Sequence, residues 1–249
     1  MRVFFYTLFM VVVGIIGFVI YLPRKDYTTT WKHFSYSNAY TFDSFHVPKP
    51  IGNFIYGIDV SHHQDSIDWK RLSKFNCHGD SLKFVWMKAT EGVKFKDKKF
   101  SYNWIYSKKN GFKRGAYHFF RPLLNVDSQV LNFITQVPLK EDDLSPVLDF
   151  EVTEQLPVDS LVPKIKHWLY QVESFYKRRP IIYTNKRLYK DIVKPYFSDY
   201  PLWIAHYDTS NIEKAISSDK WEIWQFTSKG KADGIKNRID INVVKDGLN

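Results

Sequence analysis

Short apolar runs rich in β-branched and aromatic residues recur along the chain from residue 54 onward. The first five begin about 30 residues apart, which leaves room for a helix in each gap, and the last three lie about 20 apart. The predicted strands are Phe54–Val60, Phe84–Ala89, Gly115–Phe120, Pro146–Glu151, Ile181–Thr184, Leu202–His206, Glu222–Phe226 and Arg238–Ile241. Repeated strand-helix units predict a parallel sheet, and eight strands are enough to close a barrel.

Four of the gaps have a helical pattern, in Ile67–Phe75, Phe100–Lys109, Val126–Val137 and Val158–Arg178. The later connections are too short to repeat the full unit. We therefore predict an α/β fold over residues 54–249, namely an irregular TIM-like barrel of five β/α units followed by three β-strands.

The amino terminus has a different pattern, because residues 3–22 contain no charged side chain. About twenty such residues match the hydrocarbon thickness of a bilayer. A cleaved signal peptide would have a shorter apolar region and a small-x-small site, yet no alanine precedes Ala39. We predict an uncleaved transmembrane helix within residues 1–25, followed by a linker over residues 26–53.

The chain is basic, with 36 Lys and Arg against 26 Asp and Glu and a formal net charge of +10. This charge favours polyanions, and nucleic acid, anionic lipid and anionic cell-wall polymers are all candidates on charge alone. No nucleic-acid motif accompanies it, so no nucleic-acid partner is expected. The single cysteine, Cys77, excludes an intramolecular disulfide.

Two acids, Asp149 and Glu151, close the predicted strand Pro146–Glu151. Side chains alternate along a strand, so these carboxyl groups are expected on one side, about 7 Å apart. Neighbouring carboxyl groups resist ionising together, and the retained proton can be delivered to a leaving group, as glycosidic bond cleavage requires. Taken alone, the pair favours the simpler interpretation, namely two acids at a solvent-exposed strand end, so the case for catalysis depends on the rest of the chain.

Polar residues end most of the other predicted strands as well, including Asp59, Tyr117, Tyr183 and Asp240. Catalytic groups of such barrels gather at the carboxyl ends of the strands. Asp59 and Asp240 come from the first and last strands, which adjoin in a closed barrel. We therefore expect them to line one pocket.

Eight segments in order resemble the Chalaropsis-type lysozymes of glycoside hydrolase family 25. They are Gly57–Gln64, Phe84–Gly92, Gly115–Phe119, Pro146–Glu151, Ile182–Asn185, Leu202–Tyr207, Trp224–Ser228 and Ile239–Asn242. The resemblance covers residues 54–249. It implies a barrel of five strand-helix units and three further strands. It also implies hydrolysis of the β-1,4 bond between N-acetylmuramic acid and N-acetylglucosamine in the glycan strands of peptidoglycan.

The resemblance aligns Glu151 with the proton donor of the family. Asp149 would stay ionised, and would either support positive charge at the anomeric carbon or orient the acetamido group of the substrate. We assign Asp59 and Asp240 to positioning and electrostatics. Whether configuration is retained or inverted depends on carboxylate separation, and the resemblance favours retention with the acetamide as nucleophile.

Sugar binding needs flat apolar faces and polar rims. The candidates are Tyr117, Tyr183, Trp203, Tyr207, Trp224 and Gln225, and we expect two or three of the aromatic residues to belong to the core instead. His62, His63 and His118 suggest a metal, but no acid or cysteine stands at zincin spacing. Neither a metal nor another cofactor is expected.

Three other functions compete with this interpretation. A chitinase-like family 18 enzyme would need further aspartates where this chain has Val147 and Leu144. A wall-binding protein without activity would be expected to lose Glu151, and a nucleic-acid protein has only the charge in its favour. Peptidoglycan lies outside the cytoplasmic membrane. We therefore expect a monomeric single-pass protein of the bacterial cytoplasmic membrane, with its catalytic domain facing the periplasm or cell wall.

Overall fold

The computed structural model describes residues 49–77, 80–207, 209–216 and 221–245. Ten strands are formed in these ranges: β1 (Ile55–Val60), β2 (Asn76–Cys77), β3 (Asp80–Glu91), β4 (Phe95–Lys96), β5 (Lys113–Phe119), β6 (Val147–Asp149), β7 (Ile181–Asn185), β8 (Leu202–Ala205), β9 (Trp221–Gly230) and β10 (Ile239–Val244). The α-helices are α1 (Trp69–Leu72), α2 (Phe100–Lys109), α3 (Val126–Gln136), α4 (Val158–Tyr176), α5 (Lys186–Leu188), α6 (Lys194–Tyr196) and α7 (Ile212–Ile216). A 3₁₀ turn covers His62–Gln64, and a π-helical turn covers Tyr189–Val193.

Eight of the strands close into a barrel in the order β1, β3, β5, β6, β7, β8, β9, β10. The neighbours from β1 to β9 pair in parallel, whereas β10 is antiparallel to both β9 and β1. The predicted closed α/β barrel is thus confirmed, and it differs from an all-parallel barrel at β10. Since the short link from Gly230 to Ile239 holds no crossover helix, it can join only antiparallel strands.

The two longest helices form where apolar positions recur at helical spacing. In α3, Asn125 caps the amino terminus, its Oδ1 accepting from the Ser128 N–H at 2.8 Å, and Val126, Val130 and Phe133 are buried. In α4, the buried stripe includes Ile165, Trp168, Leu169 and Val172, and the helix ends at Lys177 in the left-handed region (φ 54°). These stripes cover the outer face of the barrel.

Large apolar side chains fill the barrel interior toward the amino-terminal ends of its parallel strands. They include Phe84, Trp86, Val147, Ile181, Tyr183, Trp203, Ile223 and Val244. Gly57 and Gly115 face this layer, and a Cβ atom at either would overlap the ring of Phe84 or of Trp86. Side chains therefore fill this part of the barrel interior, as in other barrels of this size.

The predicted transmembrane helix within residues 1–25 lies outside the described ranges, as does most of the predicted linker. Within the described part of the chain, none of the helices has the length and apolar character needed to cross a bilayer.

Candidate active site

A cavity of about 290 Å³ opens at the carboxyl ends of the parallel strands. Nine of the ten predicted site residues line it: Asp59, Tyr117, Asp149, Glu151, Tyr183, Trp203, Tyr207, Gln225 and Asp240. The remaining lining residues are Val60, Ser61, His63 and Gln64. Four carboxyl groups from β1, β10 and the end of β6 thus share one cavity.

The acid pair is arranged differently from the prediction, because β6 ends at Asp149 and Glu151 follows the strand. The intervening Phe150 is buried, its N–H donates to the Tyr183 carbonyl at 2.9 Å, and its own carbonyl accepts from Thr184 Oγ1 at 2.8 Å. These contacts hold Phe150 against β7. Asp149 and Glu151 consequently still face the cavity together.

Burial raises the pKa of Asp149 well above its usual range, and the adjacent Glu151 charge adds to this. Burial also raises the pKa of Glu151, with Asp149 and the charge of Lys88 opposing the shift. Among the described residues, Asp149 Oδ1 is a buried atom that has no hydrogen-bond partner. An unpaired buried acceptor favours the protonated, neutral form, so the pair retains a proton at higher pH than free carboxyl groups.

Asp59 is held by two side-chain amides. Its Oδ2 accepts from Gln225 Nε2 and from Asn242 Nδ2, both at 2.8 Å. Gln225 Oε1 in turn accepts from the hydroxyl groups of Tyr183 at 2.9 Å and Tyr207 at 2.6 Å. Both ends of the Gln225 amide are therefore used within the protein. Gln225 is therefore better placed to position Asp59 than to bind a sugar, which was its predicted role.

Asp240 lies opposite Asp59 in the β1–β10 register. Because β10 runs antiparallel, Asp240 reaches the cavity from the amino-terminal end of its strand, whereas Asp59 is near the carboxyl end of β1. Burial, together with the charge of Glu151, raises the pKa of Asp240 to about 6. Burial and the charge of Asp240 raise the pKa of Asp59 well above its usual range, while the two amide hydrogen bonds oppose the shift.

The predicted aromatic residues divide between the cavity wall and the core. Tyr207 is 37% exposed and Tyr117 is half-buried, whereas Trp203 is buried and donates its Nε1–H to Asn242 Oδ1 at 2.9 Å. Trp224 does not line the cavity. It is fully buried on the outer face of β9 and donates its Nε1–H to the His206 carbonyl, because it alternates with the inward-facing Gln225. We therefore reassign Trp224 from sugar binding to the core.

The three histidines lie in two separate places. His118 faces outward from β5, where its Nδ1 lies 2.7 Å from Thr90 Oγ1 and its Nε2 lies 3.1 Å from Gln129 Oε1. Burial lowers its pKa to about 4, so it is neutral near pH 7. His62 and His63 belong to the turn after β1, and no cluster able to hold a metal ion occurs within the described ranges.

Two contributors to the site, Asn242 and Lys88, were not among the predicted site residues. Asn242 supports Asp59, and its place two residues after Asp240 on one strand was the available signal, since alternate residues share a face. Lys88 lies beside the acid pair and opposes the raised pKa of Asp149 and of Glu151. It is itself paired with Glu91 at 2.6 Å, and Glu91 also accepts from Arg121 Nε at 2.9 Å.

Comparisons with known proteins agree with this geometry. A sequence model described as "Glycosyl hydrolases family 25" matches residues 58–235. The protein YegX of Escherichia coli (strain K12), described as uncharacterized, is 35% identical over 246 residues, covering 95% of this chain and 89% of YegX. Lysozyme M1 of Streptomyces globisporus is 27% identical over 201 residues, covering 76% of this chain and 67% of that enzyme. The structure of a family 25 glycosyl hydrolase from Bacillus anthracis is similar with a TM-score of 0.66 and 31% identity, covering 78% of this chain and 89% of that one.

Proposed function

Because this chain belongs to glycosyl hydrolase family 25 and is a glycoside hydrolase, we propose that it hydrolyses peptidoglycan. The bond we assign is the β-1,4 linkage between N-acetylmuramic acid and N-acetylglucosamine. Similarity to proteins named as lysozymes and as an N,O-diacetylmuramidase supports this substrate.

One observation carries the proposal, namely that four carboxyl groups with raised pKa values line a single cavity. Glycoside hydrolysis needs a carboxylic acid that keeps its proton near neutral pH and a second carboxylate beside it. Burial supplies the first property here, and the adjacency of Asp149 and Glu151 supplies the second.

In the proposed mechanism, Glu151 protonates the glycosidic oxygen of the leaving group. Asp149, once ionised, supports the positive charge that develops at the anomeric carbon or orients the acetamido group of the substrate for attack. The two carboxyl groups titrate as a pair, so one acid and one carboxylate coexist over an intermediate pH range. Asp240 and the amide-supported Asp59 position the substrate and shape the field in the cavity.

Analysis of the products tests the bond assignment. Full-length protein in detergent is incubated with purified peptidoglycan, and the soluble fragments are examined by mass spectrometry before and after borohydride reduction. We expect fragments that end in reducing N-acetylmuramic acid. Fragments that end in reducing N-acetylglucosamine, or the absence of fragments, would contradict the proposal.

We also propose that residues 1–25 anchor the protein in the bacterial cytoplasmic membrane, with the catalytic domain facing the periplasm or cell wall. The uncharged stretch of residues 3–22 supports this location. Fractionation of cells tests it, with intact protein expected in the membrane fraction. A mature soluble form that lacks about the first 25 residues would exclude the anchor.

A further inference from the structure

The cavity is small for an enzyme that acts on a polymer. Its volume of about 290 Å³ is at the lower end of the range for small-ligand pockets, which is roughly 300 to 1,000 Å³. Sugars on either side of the cleaved bond must therefore lie partly on the surface around the cavity. Additional contacts with a glycan strand are therefore expected at the rim of the cavity.

Three rings lead from the cavity to this rim, and we call them the aromatic row: His63, His62 and Phe95. His63 lines the cavity, and its ring centroid lies 4.1 Å from that of His62 at an interplanar angle of 36°. The His62 centroid lies 5.7 Å from that of Phe95, and Phe95 is 43% exposed. The aromatic row is thus continuous from the catalytic cavity to solvent.

A buried carboxylate fixes the middle ring. Asp97 Oδ2 accepts from the His62 backbone N–H at 2.9 Å and lies 2.7 Å from His62 Nδ1. Asp97 Oδ1 accepts from the Lys99 N–H at 2.9 Å. Because a carboxylate accepts from Nδ1, the hydrogen of the imidazole sits on that atom and the ring orientation is set.

The outer ring is held by a short hairpin in which β4 pairs with the end of β3. Asn132 Nδ2 donates to the carbonyls of Gly92 at 2.9 Å and Phe95 at 3.1 Å. Exposed Lys94 and Lys96 flank Phe95, and their charge suits a polymer that carries carboxylates. Phe95 is therefore presented in a fixed position rather than on a free loop end.

From this arrangement we infer that the aromatic row is an additional binding site for an N-acetylhexosamine residue of the same glycan strand, outside the cavity. The flat rings of these partly exposed residues match the apolar face of a sugar, and the ring nitrogens of the two histidines match its hydroxyl groups. This inference rests on the proposed function, since it takes the ligand to be the polymer that the cavity cleaves.

Kinetics on glycan fragments of increasing length test the inference in the full-length protein. For Phe95→Ala we expect kcat/KM on long fragments to fall about 3- to 10-fold, the value of one aromatic contact, and kcat/KM on the shortest cleaved fragment to stay unchanged. Phe95→Trp should restore the rate on long fragments. Tyr170→Ala removes an aromatic residue that is 70% exposed on α4, away from the row, and should change the rate at no length.

Binding separates this inference from the proposed function. Calorimetry measures the dissociation constants of the same fragments with two inactive proteins, Glu151→Gln and the double variant Glu151→Gln with Phe95→Ala. The two proteins should differ in affinity only for the long fragments. An equal loss at every length, or no loss at any length, would overturn the role of the aromatic row. If the wild type failed to cleave peptidoglycan while the length-dependent difference in binding persisted, the proposed function would fail and the aromatic row would stand.

Discussion

Two groups of buried polar side chains lie at the same end of the barrel, on opposite faces of its wall. The outer group consists of His118, Thr90 and Gln129. His118 contacts the other two, and Gln129 also accepts from the Arg121 N–H at 2.9 Å. The inner group consists of the four acids of the cavity, Asp59, Asp149, Glu151 and Asp240. In the described part of the chain, Asp149 Oδ1 is buried without a hydrogen-bond partner. The outer group is neutral and its hydrogen bonds are satisfied, whereas the inner one concentrates four acids in a cavity.

The difference teaches that burial and strand position do not identify a catalytic group. Tyr117 and His118 are neighbours on β5, and strand alternation alone puts one in the cavity wall and the other against Trp168, with ring centroids 5.7 Å apart. An unpaired buried acceptor costs on the order of 1 to 3 kcal/mol. The gathering of four acids in one cavity, more than this cost by itself, marks the inner group as the reactive one.

The largest effect after loss of the proton donor should come from Asp149→Asn. We expect kcat to fall about 10²- to 10⁴-fold because the variant lacks the carboxylate beside the acid. The free energy of unfolding at pH 7 should rise by roughly 1 kcal/mol, since the raised pKa of Asp149 means that its buried carboxyl group destabilises the folded state at this pH. Initial rates and urea titrations measure both quantities. A variant that lost stability and kept its rate would show that Asp149, like the outer group, serves stability and not catalysis.

The outer group should respond in the opposite sense, with an effect on stability and little on activity. The folded protein keeps His118 neutral down to a pKa of about 4, whereas an unfolded histidine binds its proton near pH 6.5. The stabilisation is complete above about pH 6.5 and is lost as the pH falls toward 4. His118→Gln should remove roughly 2 to 4 kcal/mol of this pH dependence.

Urea titrations of this variant at pH 7 and at pH 4.5 measure that change. The rate of His118→Gln on peptidoglycan at pH 7 should stay within about threefold of the wild type, because the side chain does not reach the cavity. A stability difference that did not vary with pH would contradict a neutral buried His118.

The smallest effect is expected for Asp240→Asn, and its sign is the reverse of that for His118. The folded pKa of about 6 exceeds the reference value of 3.8. The contribution of Asp240 to stability is therefore complete below about pH 3.8 and is lost as the pH rises through 6. The variant should be more stable than the wild type by roughly 1 to 3 kcal/mol at pH 7 and equally stable below pH 4. Equal stability at both pH values would show that Asp240 is not desolvated.

The sequence predicted the barrel well because its strands are short and strongly patterned and the first five of them recur at a regular spacing. Helix α2 has the predicted bounds, and α3 and α4 begin where predicted. The antiparallel direction of β10 was not predicted. It follows from the connection between β9 and β10, which is too short for a crossover to a parallel strand. Both faces of a barrel strand are buried, so the apolar pattern does not reveal which face is inward, and Trp224 was misplaced for that reason.

The acids of the site were accessible from sequence because they stand at strand ends, where this architecture gathers polar groups. The amide support of Asp59 was accessible only in part. The place of Asn242 two residues after Asp240 puts both on one face of β10, but the contacts of Asn242 and Gln225 with Asp59 come from strands that are distant from β1 in sequence. The aromatic row was also out of reach. It requires the turn after β1 to lie beside the β3–β4 hairpin, a proximity set by the closed barrel and by Asp97.

The central claim is that the inner group is a hydrolytic centre with Glu151 as its acid. The most direct test compares Glu151→Gln with Glu154→Gln, a nearby glutamate that pairs with Arg121 outside the cavity wall. The measured quantity is the rate at which new reducing ends appear in purified peptidoglycan. We predict a loss of about 10²- to 10⁴-fold for Glu151→Gln and a change within about threefold for Glu154→Gln. A Glu151→Gln variant that kept the wild-type rate would contradict the account.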